Sequence, residues 1–207
     1  MAFHESINIK INIKLREVEK MAQSDVKAAV MKSIESIQAN PMLSTVLYKA
    51  STQWVEDVRC SATVRDFAPM IIDEPPELAG KNAGPSPVEL ILIALGTCQE
   101  IVYSAYASVM DIELTSVKVD VKGKLDLKGL FGLDKSVPAG YKSISFETHI
   151  ESSADEESIL ALIETVEAHC PVMDILIRPM SISGVAKLNG NKVYSSPQSN
   201  PQASAAV

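Results

Sequence analysis

The chain has 207 residues, of which 46% are hydrophobic and 22% charged, and its formal net charge is −7. This length fits one domain with an extension, and the composition excludes a disordered or fibrous chain. The negative charge and an aromatic content of 5% argue against binding to nucleic acid or to an anionic membrane.

The first 50 residues are predicted to form a strand–helix extension. Isoleucines and a leucine alternate with polar residues over residues 7–15, which is typical of a strand with one wet face. A helical pattern runs from about Arg16 to Ala39, and Pro41 ends it. We expect this extension to serve packing or dimer contacts.

Neither a signal peptide nor a membrane span is predicted. The N-terminus lacks a basic region followed by an apolar one. The most apolar stretch, Val88 to Leu95, falls short of the roughly 20 residues that cross a bilayer. Three cysteines without C-x-x-C spacing form neither a closed disulfide framework nor a zinc ribbon. We therefore expect a soluble, cytoplasmic protein without a metal or cofactor.

The main domain is predicted to span residues 51–190 and to begin with a strand near Val58–Val64. Alternation places Arg59 and Arg65 on its polar face and Cys60 on its apolar face. Prolines and glycines between residues 73 and 85 exclude regular structure over most of that stretch.

A long helix is predicted from Ser86 to about Met110. Ser86 is placed as the N-cap, Pro87 at the first helical position and Glu89 to close a capping box. Between Val88 and Cys98 the helix is apolar almost all round, so we expect it to be buried on every side. A domain of this size cannot surround such a helix alone, which suggests that a partner subunit covers part of it.

The remainder predicts two strands, a broken helix and a last strand. Alternation indicates strands at residues 117–127 and 144–150, separated by a glycine-rich loop. Three acidic residues at 155–157 open a helix that must break at Cys170-Pro171. A short strand at Met180–Leu188 follows, and residues 191–207 are predicted to be a disordered tail. Because strands and helices cluster rather than alternate, we predict an α+β fold.

Two cysteines are the candidate reactive groups. Cys98 lies in the buried helix, where a thiol can also be an inert apolar group. Cys170 precedes a helix start, where free N–H groups favour a thiolate, although it can equally fill space under the kink. If the two helices cross, the sulfurs can meet. An arginine, Arg59 or Arg65, would stabilise a thiolate there.

Other candidates are weaker. Cys60 is expected to be structural because it faces the apolar side of its strand. His169 next to Cys170 suggests a Cys–His hydrolase, but neighbouring helical residues do not face each other.

Three ordered motifs resemble the OsmC/Ohr family. They are Asp73 to Leu78, Gly84 to Leu90 with Cys98 following, and Cys170-Pro171-Val172. The stretch from Gly129 to Tyr141 resembles an insertion in one uncharacterised branch of OsmC-like proteins. The resemblance covers roughly Trp54 to Leu188.

This resemblance implies an intertwined homodimer whose sheets wrap around two central helices. It also implies an organic hydroperoxide reductase in which Cys98 is the peroxidatic cysteine and Cys170 the resolving one. The partners would be a hydroperoxide substrate and an external dithiol, such as a lipoyl group. The alternative is a non-catalytic member of the fold that binds a small apolar ligand in a pocket at the dimer interface.

The resemblance further implies an active-site arginine, best matched by Arg59 with Arg65 as the alternative. In the family a glutamate at the start of the central helix holds this arginine, and here that position is Val88. Glu89 lies one residue further, about 100° round the helix. The departure at Val88 favours the non-catalytic alternative.

Overall fold

The structure, a computed structural model, describes residues 23–196. Its helices are α1 Gln23–Ala39, α2 Pro87–Val109, α3 Leu127–Leu130, α4 Glu156–His169 and α5 Pro171–Ile177. Its strands are β1 Ser51–Glu56, β2 Arg59–Thr63, β3 Met70–Ile72, β4 Leu114–Leu125, β5 Tyr141–Ser152, β6 Val185–Leu188 and β7 Asn191–Ser195. The predicted strand at residues 7–15 and the first turns of the predicted N-terminal helix lie outside the described residues.

The strands form three small antiparallel sheets. β2 lies between β1 and β3, β4 pairs with β5 along almost their whole length, and β6 pairs with β7. Each sheet joins strands that follow one another along the chain, while the helices lie between or after them. The predicted α+β class is confirmed.

The long helix α2 begins as predicted. Ser86 Oγ accepts the Glu89 N–H at 3.4 Å, and Glu89 Oε2 accepts the Ser86 N–H at 2.7 Å, which closes the capping box. The helix passes close to β4 at Gly96, where an added Cβ would lie 3.2 Å from Val121 Cγ2. Glycine therefore lets helix and strand pack closely here, whereas a Cβ would push the Val121 side chain back by a few tenths of an ångström.

The core lies where α2, α4 and the β4–β5 sheet meet. Tyr103 and Ala107 of α2 pack with Leu162 and Val166 of α4, and Ile112 closes the cluster. Asp155 caps α4 by accepting the Ser158 N–H at 2.9 Å. Cys170 ends α4 and starts α5, so the predicted break at Cys170-Pro171 is confirmed.

The single chain covers α2 on one side only, so burial on every side stays a prediction that depends on the expected partner subunit. The covered face includes Leu95, Gln99 and Tyr103, while Ile93 and Ile101 are exposed. An apolar pattern predicts how much of a helix surface is buried in the assembly, but it does not say which chain buries it. The homodimer stays a prediction that this uncovered face supports.

The predicted bounds of this long helix, Ser86 to about Met110, are confirmed by its N-cap at Ser86 and its C-cap at Met110. Within the described residues, α2 has the length and composition that could cross a membrane, since the helix continues past Gly96 to Val109. Its contacts point to a core helix: Gln99 is buried, and the Glu100 carboxylate accepts the Val119 N–H of β4 at 3.1 Å.

Two local predictions need correction. Arg65 does not share a strand face with Arg59, because β2 ends at Thr63 and Arg65 adopts a left-handed backbone with φ of 49°. The tail predicted to be disordered from residue 191 begins with β7, since residues 191–195 pair with β6. Residues 197–207 lie outside the described part.

Candidate functional site

The two helix-borne cysteines come together at the junction of α4 and α5. Cys98 lies at the middle of α2 and is half-buried, while Cys170 is fully buried between α4 and α5. Cys170 and the backbone N–H of Val172 both lie close enough to the Cys98 sulfur to shift its pKa. The condition set by the sequence, that the two helices bring these sulfurs together, is therefore met.

The electrostatics of the isolated chain favour the neutral thiol at Cys98. Burial raises the pKa of Cys98 above its ordinary value of 9.0, and hydrogen bonding and charge repulsion from Cys170 raise that pKa further. The Val172 N–H acts in the opposite direction because it stabilises the thiolate. In this chain alone, the site holds a protonated peroxidatic candidate.

Val172 was not singled out from the sequence. It is the second residue of α5, and its amide has no partner within the helix because the first turn of a helix leaves its N–H groups free. The sequence motif Cys170-Pro171 predicted such free donors, but it favoured Cys170 as their acceptor. Only the crossing of α2 over this end of α5 gives the donor to Cys98 instead.

Neither arginine is placed at the thiols by this chain. Arg59 makes an ion pair with Glu56. Arg59 begins β2 beside Asp73, which directly follows the paired strand β3, and the positive charge of Arg59 helps to lower the pKa of Asp73. Arg65 stacks on the ring of Phe67, with its guanidinium carbon 4.4 Å from the ring centroid.

Asp73 anchors the turn-rich loop between β3 and α2. Its buried carboxylate accepts the N–H groups of Glu74, Lys81 and Ala83 at 2.9 to 3.0 Å. The hydrogen bond from Ala83 is the main cause that lowers the pKa of Asp73 below 3.8. A carboxylate so satisfied stays ionised and fixes the loop between β3 and α2.

The other sequence candidates lie elsewhere. Cys60 sits in the central strand β2, opposite Trp54 on one side and Ile72 on the other, which fits a structural role. The Nδ1 atom of His169 lies 2.8 Å from the Thr165 carbonyl, and its ring packs on Tyr106. Neither contact involves a cysteine, so the hydrolase hypothesis loses its one support. Within residues 23–196, no group of three or more His, Cys, Asp or Glu residues could hold a metal ion.

An apolar groove is lined by residues of the same two helices, α2 and α5, that carry or adjoin the two cysteines. It has a volume of about 580 Å³ and lies between α2, β5 and α5. Its wall on α2 is formed by Val88, Ile91 and Leu95, whose spacing places them on the same helix face as Cys98. The rest of its apolar lining comes from Ile144, Phe146, Met173, Leu176 and Ile177.

The groove shows what the departure at Val88 does. The Val88 side chain lines the groove, and its carbonyl accepts the Tyr141 hydroxyl at 2.9 Å. Glu89 is engaged in the capping box, whose hydrogen bonds from Ser86 lower the pKa of Glu89. No carboxylate at the start of α2 is therefore left to hold an arginine.

Known proteins resemble this chain in fold. The OsmC-like protein family model matches residues 80–183. An OsmC-like protein from Mycoplasma pneumoniae is 21% identical, with 63% of this chain and 87% of that chain covered and a TM-score of 0.55. No curated protein matches the chain.

Two further solved structures agree. A Psychrobacter arcticus protein, described as belonging to an osmotic stress and detoxification response, is 19% identical over 65% of this chain and 91% of its own, with a TM-score of 0.53. An organic hydroperoxide resistance protein OsmC from Legionella pneumophila is 19% identical over 64% of this chain and 92% of its own, with a TM-score of 0.50. These structures show the fold, and the family model, which matches half of the chain, shows that the chain belongs to the OsmC-like protein family.

Proposed function

We propose that this protein is a thiol-dependent reductase of organic hydroperoxides, with Cys98 as the peroxidatic cysteine and Cys170 as the resolving one. The observation that carries the proposal is that Cys170 and the Val172 N–H lie close enough to the Cys98 thiol to influence its ionisation. A hydroperoxide resistance protein of the same fold is consistent with this activity.

The reaction follows from the arrangement of the two sulfurs. The Cys98 thiolate attacks one peroxide oxygen, the O–O bond breaks, and the other oxygen leaves as an alkoxide that takes up a proton. Cys98 is thereby oxidised to a sulfenic acid and the peroxide is reduced to an alcohol. The Cys170 sulfur then attacks Cys98, expels water and forms a disulfide, which an external dithiol of lipoyl type reduces by exchange.

The first step needs a positive group that lowers the pKa of Cys98, since burial in the isolated chain raises it. We assign this role to Arg59, carried to the thiol by a second subunit in a homodimer, with Arg65 as the alternative. The ion pair of Arg59 with Glu56 supports this assignment, because Glu56 can orient the guanidinium where Val88 replaces the family's glutamate.

The apolar groove supports an alkyl hydroperoxide as the substrate. Its lining is mostly aliphatic and aromatic, and it ends one helical turn from each cysteine, at Leu95 and Met173. A hydroperoxide with an organic tail gains from burying that tail there, whereas hydrogen peroxide does not. We expect the protein to act in the reducing cytoplasm, without nucleic-acid or membrane partners.

The alternative function is binding of a small apolar ligand without catalysis. The same groove supports it, as does the raised pKa of Cys98 in the absence of a cation. The two functions differ in what happens to the thiols when the groove is filled by a hydroperoxide.

The test is to mix reduced protein with cumene hydroperoxide and to count free thiols. We expect two thiols per chain to be lost, with a Cys98–Cys170 disulfide found by mass spectrometry. Cys98→Ser should abolish the loss, while the matched control Cys60→Ser should leave it unchanged. Thiols that survive excess hydroperoxide would refute the reductase and leave the binding function.

The arginine assignment has its own test. In the oxidation assay, we expect Arg59→Ala to slow the loss of the Cys98 thiol at least tenfold at pH 7, with an effect that shrinks as the pH rises, because more thiolate then forms without a cation. Arg65→Ala is the control, and a larger effect there would move the role to Arg65.

A further inference from the structure

Residues 41–50 form an apolar segment that residues 23–196, the described part of the chain, leave uncovered. The side chains of five large hydrophobic residues are between 53% and 87% exposed: Met42, Leu43, Val46, Leu47 and Tyr48. A run of this kind on a folded domain marks an interaction site, because scattered exposed residues are normal but contiguous ones are not.

Both ends of this segment are fixed. On one side α1 is anchored to the end of α2, where Gln23 Nε2 donates to the Ile112 carbonyl at 2.6 Å and Lys27 pairs with Asp111 at 2.6 Å. On the other side β1 is held in register by β2. Among the described residues, the hydrogen bonds of Pro41–Ser44 are local ones to Asn40 and within the turn.

Further apolar side chains of the described residues are also uncovered. Helix α2 exposes Ile93 and Ile101, about two turns apart, and strand β1, which follows residues 41–50 in the chain, exposes Trp54 and Val55. Two unburied apolar surfaces on one chain are what a twofold pair of copies requires, since each copy then offers the surface that the other covers.

Area and charge both favour a second copy. The five side chains expose on the order of 700 Å², close to the roughly 800 Å² that each partner buries in a standard interface. The chain carries a net charge of −7, yet residues 41–50 contain no acidic residue and one lysine, Lys49. The segment therefore adds no negative charge of its own to a contact with an acidic copy.

We propose that residues 41–50 are a dimerisation arm that packs on a second copy of this chain, beside the exposed stripe of its α2. The proposal rests on the homodimer of the proposed function, but the arm lies outside residues 80–183, which match the family model. It gives the N-terminal extension a role in holding the two subunits together.

The direct test is a photo-cross-linker, p-benzoylphenylalanine, placed at position 48 in the full chain. Copies labelled with ¹⁴N and ¹⁵N are mixed, unfolded, refolded together and irradiated, so that peptides linked between chains carry both isotopes. We expect mixed-isotope peptides that join position 48 to the second copy. Links confined to one chain, for example to residues 1–22, would overturn the proposal.

A second test measures assembly. We expect the double substitution Leu47→Asp with Tyr48→Asp to raise the dimer dissociation constant at least tenfold in sedimentation equilibrium, with an unchanged circular dichroism spectrum. The control is Leu133→Asp, an equally exposed apolar residue of another loop, which should change the constant by less than twofold. An unchanged dissociation constant in the double variant would overturn the proposal.

These tests are independent of the chemistry. If wild-type thiols survive hydroperoxide but position 48 still cross-links to a second copy, the reductase fails and the arm stands. If the thiols oxidise but the arm variant dimerises as tightly as wild type, the arm fails and the reductase stands.

Discussion

Leu162 offers the sharpest test of how the fold supports the thiol pair. It is 0% exposed on α4, where it packs with Tyr103 and Val166 in the core. Leu162→Ala removes the buried methyl groups and leaves a cavity, which costs about 3 kcal/mol of unfolding free energy within a typical range of 2–5. That is a large fraction of the roughly 5–15 kcal/mol that stabilises a domain.

The matched control is Leu160→Ala on the same helix, since Leu160 is 52% exposed. We expect it to cost less than about 1 kcal/mol. Urea unfolding followed by circular dichroism at one fixed protein concentration gives both values, because the stability of a dimer depends on concentration. Since α4 ends at Cys170, Leu162→Ala should also slow formation of the Cys98–Cys170 disulfide. A difference below about 1 kcal/mol between the two variants would refute the reasoning.

Four further predictions concern single contacts. Ser86→Ala removes the N-cap of α2 and should lower stability by about 1 kcal/mol in the same urea assay, whereas an unchanged midpoint would mean that the cap is not used. Cys170→Ala removes groups that raise the pKa of Cys98, so iodoacetamide should label Cys98 faster at pH 8, as read by mass spectrometry; slower labelling would contradict the assigned cause. The pKa of Asp73 is lowered from 3.8, so its stabilisation is present above that pH and is lost as pH falls through the lower folded value. The stability gap between wild type and Asp73→Asn should therefore be open at pH 6 and close below pH 3.8, and a gap constant with pH would speak against it. Neither amide atom of buried Gln99 has a hydrogen-bond partner in the described part of the chain, so Gln99→Leu should leave stability unchanged or raise it by about 1–3 kcal/mol in thermal unfolding, and a large loss would reveal a hidden partner.

Features set by neighbouring residues were predictable from the sequence. The capping box of α2 and the break at Cys170 depend on side chains and prolines within a few positions of the helix end, so their geometry follows from local hydrogen bonds. The candidate cysteines were chosen from their positions in two predicted helices and from the resemblance to a family whose model matches residues 80–183, and their catalytic roles stay a prediction.

What the tertiary structure alone decided is how distant segments meet. β3 has only three residues, and β7 lies in the stretch that was predicted to be a disordered tail. Each becomes a strand because it pairs with a neighbour, β3 with β2 and β7 with β6. The approach of the Val172 N–H to Cys98 depends on how α2 crosses the start of α5. The placement of both arginines away from the thiols depends on where strand β2 begins and ends. Periodicity records which side chains are apolar along one element. It carries no information on which element, or which copy of the chain, covers them, since burial is a property of the packed assembly.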